Sequence, residues 1–147
     1  MFPKETKILI VDDLKTIRTL IIDFLSKFGY LNLAETGRGE SALNLLRTAK
    51  RKDEPFGLIF CDWNMPGFNG IDLLNAKNSD PDLRDTPFLM VTVESEKEYV
   101  LKAIALGVDD YIVKPFTEKV ILEKMNSVWD RLHEETEANE ALTQYLN

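Results

Sequence analysis

Short apolar runs alternate along the chain with longer stretches whose apolar residues recur every three or four positions. The runs predict strands at Lys7–Val11, Leu31–Glu35, Gly57–Cys61, Phe88–Thr92 and Asp109–Val113. All are rich in Val, Ile, Leu and Phe. Residues 8–11, 57–61 and 88–91 lack polar alternation, as expected of parallel strands covered on both faces. Between the runs the period is helical. Ile17, Leu20, Ile21, Phe24, Leu25 and Phe28 fall on one stripe, and Gly29 stops it. Ser41–Ala49, Gly70–Asn78 and Ser95–Leu106 predict three more helices, the last ended by Gly107, and a fifth begins near Thr117. Strand alternating with helix predicts a doubly wound α/β fold: a five-stranded parallel sheet with helices on both faces.

The last segment is less ordinary. From Phe116 onward there is neither Gly nor Pro, so one long helix is allowed. Ile121, Met125, Val128 and Leu132 form a stripe suited to packing on the sheet. Beyond Glu134-Glu135-Thr136-Glu137 a second stripe follows: Ala138, Ala141, Leu142, Tyr145 and Leu146. The pattern divides the chain into a domain over residues 1–132 and a helical C-terminal extension over 133–147. That extension either frays or docks on this domain, on a second copy or on a partner.

With 147 residues, 44% of them hydrophobic, the chain can build one core. The net charge of −7 argues against nucleic-acid binding, which needs basic surface. The basic segment Arg47 to Asp53 lacks interleaved aromatics and reads as a solvated helix C-terminus. The single cysteine, Cys61, forms no internal disulfide, and no Cys/His cluster suggests zinc. No apolar stretch has the length of a membrane span, and the N-terminal residues lack a signal-peptide core. Together these features point to the cytoplasm.

In a doubly wound sheet, ligands bind beyond the carboxyl ends of the strands. Asp12, Asp13, Asp62, Thr92 and Lys114 fall at or just past predicted strand ends. Asp62 stands where an apolar strand breaks into a Pro-Gly turn, which should place it at the surface on a rigid support. If the first and third strands are neighbours, three carboxylates meet at one sheet edge. That is a divalent-cation site beside a carboxylate able to act as nucleophile. Mg2+ prefers oxygen ligands: Asp13 and Asp62 can supply two, the Asn64 backbone carbonyl a third, and Asp12 can orient a bound water. Lys114 can balance phosphoryl oxygens as a point charge, and the Thr92 hydroxyl can donate to one. Alone, each residue is ordinary: a turn-forming Asp, a strand-end Thr, a solvated Lys. Their joint order is the informative signal.

These residues resemble the receiver domains of two-component response regulators, over about residues 5 to 130. The carrying segments are Val11-Asp12-Asp13, Asp62-Trp63-Asn64-Met65-Pro66-Gly67, Thr92-Val93-Glu94 and Tyr111-Ile112-Val113-Lys114-Pro115-Phe116. The run Asp62 to Pro66 is similar to the chemotaxis type. The resemblance implies the flavodoxin-like strand order 2-1-3-4-5. It implies a stand-alone signalling switch that catalyses its own phosphorylation and dephosphorylation, rather than an enzyme with a separate substrate. A histidine kinase would supply the phosphoryl group to Asp62 with Mg2+ present. Thr92 would move toward that group and Tyr111 would swing inward. The face made by Ser95–Leu106, Asp109–Val113 and the helix from Thr117 would then select a partner.

Further implications concern single residues. A cis Lys114-Pro115 bond would aim the ammonium at Asp62. Asn64 and Glu94 flank the site and tune dephosphorylation. Val93 departs from the small residue usual beside the threonine and would slow entry. The segment Arg47–Pro55 and the chain beyond about residue 132 are further departures. The expected output partner is a flagellar motor switch component. A histidine phosphotransferase, in a relay or phosphate-sink role, is the alternative, as is an adaptor that forms a homodimer through its C-terminal helix.

Other chemistries fit less well. A flavin carrier of this fold needs a Ser/Thr/Gly loop where Asp12-Asp13-Leu14-Lys15 stands. Gly37-Arg38-Gly39-Glu40-Ser41-Ala42 matches a loose dinucleotide pattern, but after the second strand rather than the first. A haloacid-dehalogenase-like phosphatase needs Asp-x-Asp, which Asp12-Asp13-Leu14 does not provide.

Overall fold

The structure, a computed structural model, describes residues 1–146. Five strands, β1 (Ile8–Val11), β2 (Leu33–Thr36), β3 (Leu58–Cys61), β4 (Phe88–Thr92) and β5 (Asp110–Val113), alternate with helices. The helices are α1 (Lys15–Lys27), α2 (Gly39–Arg51), α3 (Gly70–Ser79), α4 (Lys97–Ala105) and α5 (Glu118–Leu146). All strand pairs are parallel, in the order β2-β1-β3-β4-β5. The expected elements and strand order are present. β2 starts later than its apolar run suggests. Leu31 lies outside the sheet and is exposed, and pairing begins where the Asn32 carbonyl accepts the Ile8 N–H.

Two cores cover the sheet, which explains the unbroken apolar strands. Leu9, Ile59 and Met90 point to the face packed by Leu46 of α2, Leu73 of α3 and Ala103 of α4. Ile10, Phe60 and Leu89 point to the other face, packed by Ile21 and Leu25 of α1 and by Ile121, Met125 and Val128 of α5. Leu20 leaves the expected α1 stripe and is exposed. It sits about a quarter turn from Ile21, at the margin of the face that meets the sheet. The basic stretch after Arg47 is the last turn of α2. Its end is closed by Asp53 at φ 62° and by Glu54 N–H donating to the Ala49 carbonyl, 2.9 Å.

The fifth helix runs unbroken to Leu146. Its first half buries the expected stripe, with Leu132 partly buried at the edge. From His133 to Leu146 every residue is exposed, so the distal half does not dock on its own domain. No helix among the described residues is long and apolar enough to cross a membrane.

Two glycines are dictated by close backbone approach. A Cβ at Gly39 would strike the Phe68 carbonyl, which accounts for the glycine-rich opening of α2 without a nucleotide. A Cβ at Gly70 would strike the Asp62 carbonyl, because the start of α3 folds directly under the β3 exit. Gly70→Ala therefore sets two effects against each other. Helix propensity favours alanine by about 1 kcal/mol, whereas forced overlap in a packed interior costs about 1–3 kcal/mol. Backbone atoms cannot step aside as a side chain does, which puts the overlap at the upper end of that cost, so the expected outcome is a net loss of about 1–2 kcal/mol in urea unfolding. An unchanged or raised midpoint would refute this account of Gly70.

Candidate functional site

Strand register assembles the site. Val11 pairs with Cys61 across β1 and β3, so the next residues, Asp12 and Asp62, leave the sheet side by side. Asp13 completes a group in which one carboxylate oxygen from each residue lies within 4.8 Å of the others. Asp12 and Asp62 are buried, while Asp13 is exposed at the rim. Asp62 is only 5% exposed, so the turn after β3 does not lift it to the surface as its sequence context suggests. The reason is local. The chain turns back into α3 at once, with Gly70 N–H donating to the Trp63 carbonyl, and Trp63 and Met65 fold inward.

One cation answers these charges. Lys114 leaves β5 across the end of β4, and its Nζ donates to Asp12 Oδ2 at 2.7 Å and to Asp62 Oδ2 at 3.1 Å. The Lys114-Pro115 peptide bond is cis. Burial pulls the Lys114 pKa down, but the hydrogen bond to Asp12 and the charges of both carboxylates outweigh it and hold the ammonium above its usual value. Burial pushes the Asp12 carboxyl up, against the Lys114 hydrogen bond and the Leu14 N–H at 2.9 Å, which lower it. The two directions are compatible: the lysine stays charged, and the carboxylate pays a desolvation cost that one lysine does not cancel.

Thr92 ends β4 beside this cluster and is fully buried. Its Oγ1 has no hydrogen-bond partner, an orphaned donor in a place that otherwise satisfies its polar groups. Tyr111 is already turned inward, and its hydroxyl donates a short hydrogen bond to the Glu94 carbonyl. Burial first, then the Glu94 and Asp62 charges, push its pKa up to about 12. Asn64 sits over the rim. Its backbone N–H donates to Asp62 Oδ1 at 3.2 Å and its Nδ2 to Glu94 Oε1 at 3.0 Å. Val93, next to Thr92 in the chain, is 60% exposed.

The expected site residues therefore converge, with Asp12, Asp62 and Lys114 in direct contact and Asn64, Glu94 and Tyr111 forming a linked rim. Three participants were missed. Arg18 donates to the Asp12 carbonyl at 2.7 Å and to Glu35 Oε1 at 2.8 Å, tying α1 to β2 behind the acid pair. On a helix with other polar residues, nothing in the sequence singles it out. Tyr99 of α4 meets the Trp63 ring edge-on at 5.4 Å, with the Lys102 ammonium 5.9 Å from the same ring. Their spacing of three residues puts both on one α4 face, but the sequence does not say that this face meets Trp63.

The all-oxygen donor set suits a hard divalent ion such as Mg2+ and offers no soft or nitrogen ligand for zinc or copper.

Comparison with known proteins agrees with this geometry. Residues 8–126 match the family model of the response regulator receiver domain. The chain is 42% identical over 127 residues to the chemotaxis protein CheY of Pseudomonas aeruginosa, covering 86% of this chain and 98% of that protein. It is 41% identical over 129 residues to CheY-3 of Vibrio cholerae, covering 88% of this chain and 95% of that protein. The solved structure of Vibrio cholerae CheY4 superposes with a TM-score of 0.75 at 30% identity, over 84% of this chain and 98% of that one. A receiver domain of a Syntrophus aciditrophicus signal transduction histidine kinase gives 0.73 at 28%, over 84% and 89%. A register that sets Asp12 against Asp62, a lysine from β5 that reaches both, and these matches lead to one conclusion: the chain belongs to the response regulator receiver family, as a CheY-like member.

Proposed function

We propose that this receiver takes a phosphoryl group from the phosphohistidine of a histidine kinase onto Asp62 and so switches the face it offers to an output partner. The observation that carries this reading is the contact of Lys114 Nζ with both Asp12 and Asp62 inside a cluster of three carboxylates. An Asp62 carboxylate oxygen attacks phosphorus, the phosphorus–nitrogen bond breaks, and its electron pair returns to the donor imidazole. Asp13, Asp62 and the Asn64 carbonyl would hold Mg2+, with Asp12 orienting a bound water. The ion would neutralise charge that otherwise keeps a phosphoryl group from a carboxylate. Lys114 exchanges a carboxylate partner for a phosphoryl oxygen, and the unpartnered Thr92 hydroxyl gains an acceptor. Water attacks the phosphorus, the phosphorus–oxygen bond to Asp62 breaks, and inorganic phosphate leaves with Asp62 again a carboxylate; Asn64 and Glu94 at the rim govern the water's approach.

The output is a population shift between two packings of the α4–β5–α5 side. The Asp62-Trp63-Asn64-Met65-Pro66 run, Glu94 and the likeness to chemotaxis proteins favour a flagellar motor switch component as partner over a histidine phosphotransferase.

Three outcomes test the reading. Acetyl phosphate with Mg2+ should change Trp63 fluorescence and add one phosphoryl group by mass. Asp62→Asn should show neither, and a phosphorylated Asp62→Asn chain would move the acceptor elsewhere. Mg2+ alone should stabilise the fold by mass action, by about 1.4 kcal/mol at tenfold excess over its Kd. That gain should vanish in Asp13→Ala, and its survival there would reject the metal ligand set. Thr92→Val should raise the stability of the unphosphorylated chain by about 1 kcal/mol, since it removes a buried hydroxyl without a protein partner. A loss of similar size would mean that the hydroxyl is satisfied before phosphorylation.

A further inference from the structure

The distal half of α5 carries an apolar strip that no part of the domain covers. Leu142 is 56% and Tyr145 87% exposed, and Ala138 and Ala141 are exposed with them. The position of the strip follows from helical geometry. At about 100° per residue, Ala138, Leu142 and Tyr145 stack within about 50° of the line through Lys124 and Arg131. Lys124 and Arg131 both bond to Asp110 of β5, at 3.2 and 3.0 Å. The strip thus continues the side of α5 that looks toward β5. It is turned about 100° from the buried Ile121–Met125–Val128 face, so an unbroken helix cannot lay it on its own sheet.

Its flanks restrict the occupant. Glu134 and Glu135 flank the strip one turn before Ala138, Glu137 lies to one side, Glu140 faces away, and no Lys or Arg occurs after Arg131. A second copy laid parallel would bring Glu134 and Glu135 against their own counterparts, and like charges in register oppose that pairing. A free helical segment of this length is also marginal in water without a packing partner. We infer that residues 134–146 form a docking strip for a basic amphipathic helix of another protein, whose apolar face covers Leu142 and Tyr145 while its Lys/Arg flanks meet the glutamates. This site is separate from the chemistry at Asp62.

The test uses the full chain and a labelled Lys/Leu peptide designed as an amphipathic helix about five turns long, titrated by fluorescence anisotropy. A scrambled peptide of equal charge is the control. The designed peptide should bind, with affinity falling as salt rises. Leu142→Ser combined with Tyr145→Ser should weaken it by at least about tenfold. Asp62→Asn should bind as wild type, so failure of the phosphoryl-transfer reading would leave this result intact. Equal binding of the scrambled peptide would reduce the site to charge alone and overturn the proposal. So would a double variant that binds like wild type. A wild-type dimer in sedimentation that the double variant dissolves would assign the strip to a second copy instead.

Discussion

The contact between the Lys114 ammonium and the Asp12 and Asp62 carboxylates is the interaction on which the arrangement turns. Three carboxylates that each bring one oxygen within 4.8 Å of the others oppose one another, and two of them are buried, where water screens them least. One lysine reaches two of the three and leaves the third, Asp13, to solvent. The residual imbalance is visible at Asp12, whose pKa stays raised by burial despite its lysine and amide partners. The site is therefore short of positive charge and of acceptors in the right places: a buried acid held up, and a buried Thr92 hydroxyl unpartnered. Both deficits are of the kind that a divalent cation and a phosphoryl group would meet together.

That contact sets demands on the fold. Lys114 follows β5 directly and its partners follow β1 and β3, so the carboxyl ends of three strands must finish at the same level. Register supplies this, with Val11 opposite Cys61 and Thr92 opposite Val113. Close approach supplies the rest. Gly70 lets α3 begin against the Asp62 carbonyl, and the Asn69–Asp72 capping box fixes that first turn, with both hydrogen bonds at about 3.0 Å. Arg18 holds the Asp12 carbonyl from the α1 side. The backbones of the acids are thus held from several sides, while their side-chain oxygens accept from Lys114 and from the Leu14 and Asn64 amides.

Much of this is legible in the sequence because it is periodic or local. Unbroken apolar runs identify β1, β3 and β4 as doubly covered, and residues just past them identify Asp12, Asp62, Thr92 and Lys114 as one group. Depth and long-range partnership are harder to read. The Pro-Gly turn after Asp62 suggests a surface position, yet the tight return into α3 buries the side chain. Phe2 stands in no periodic pattern, but it is buried, accepts the Tyr30 hydroxyl at 2.8 Å and packs its ring against Trp129 at 5.1 Å. Arg18 is another such case: a lone charged residue whose partner lies on another element carries no local signature.

The rim shows how a change at Asp62 would reach the surface. The β4–α4 loop is held at Glu94 from two sides, its carbonyl by the Tyr111 hydroxyl and its carboxylate by Asn64. Asn64 also bonds to Asp62 through its backbone, and Trp63 next to it leans on Tyr99 of α4. Any rearrangement that repositions the Asp62 oxygens or draws Thr92 toward them acts on both ends of this short chain of contacts. Tyr111 is buried with its hydroxyl on the Glu94 carbonyl, and the Thr92 hydroxyl beside Asp62 is buried without a protein partner, so of the two it is Thr92 that a new acceptor at Asp62 would engage.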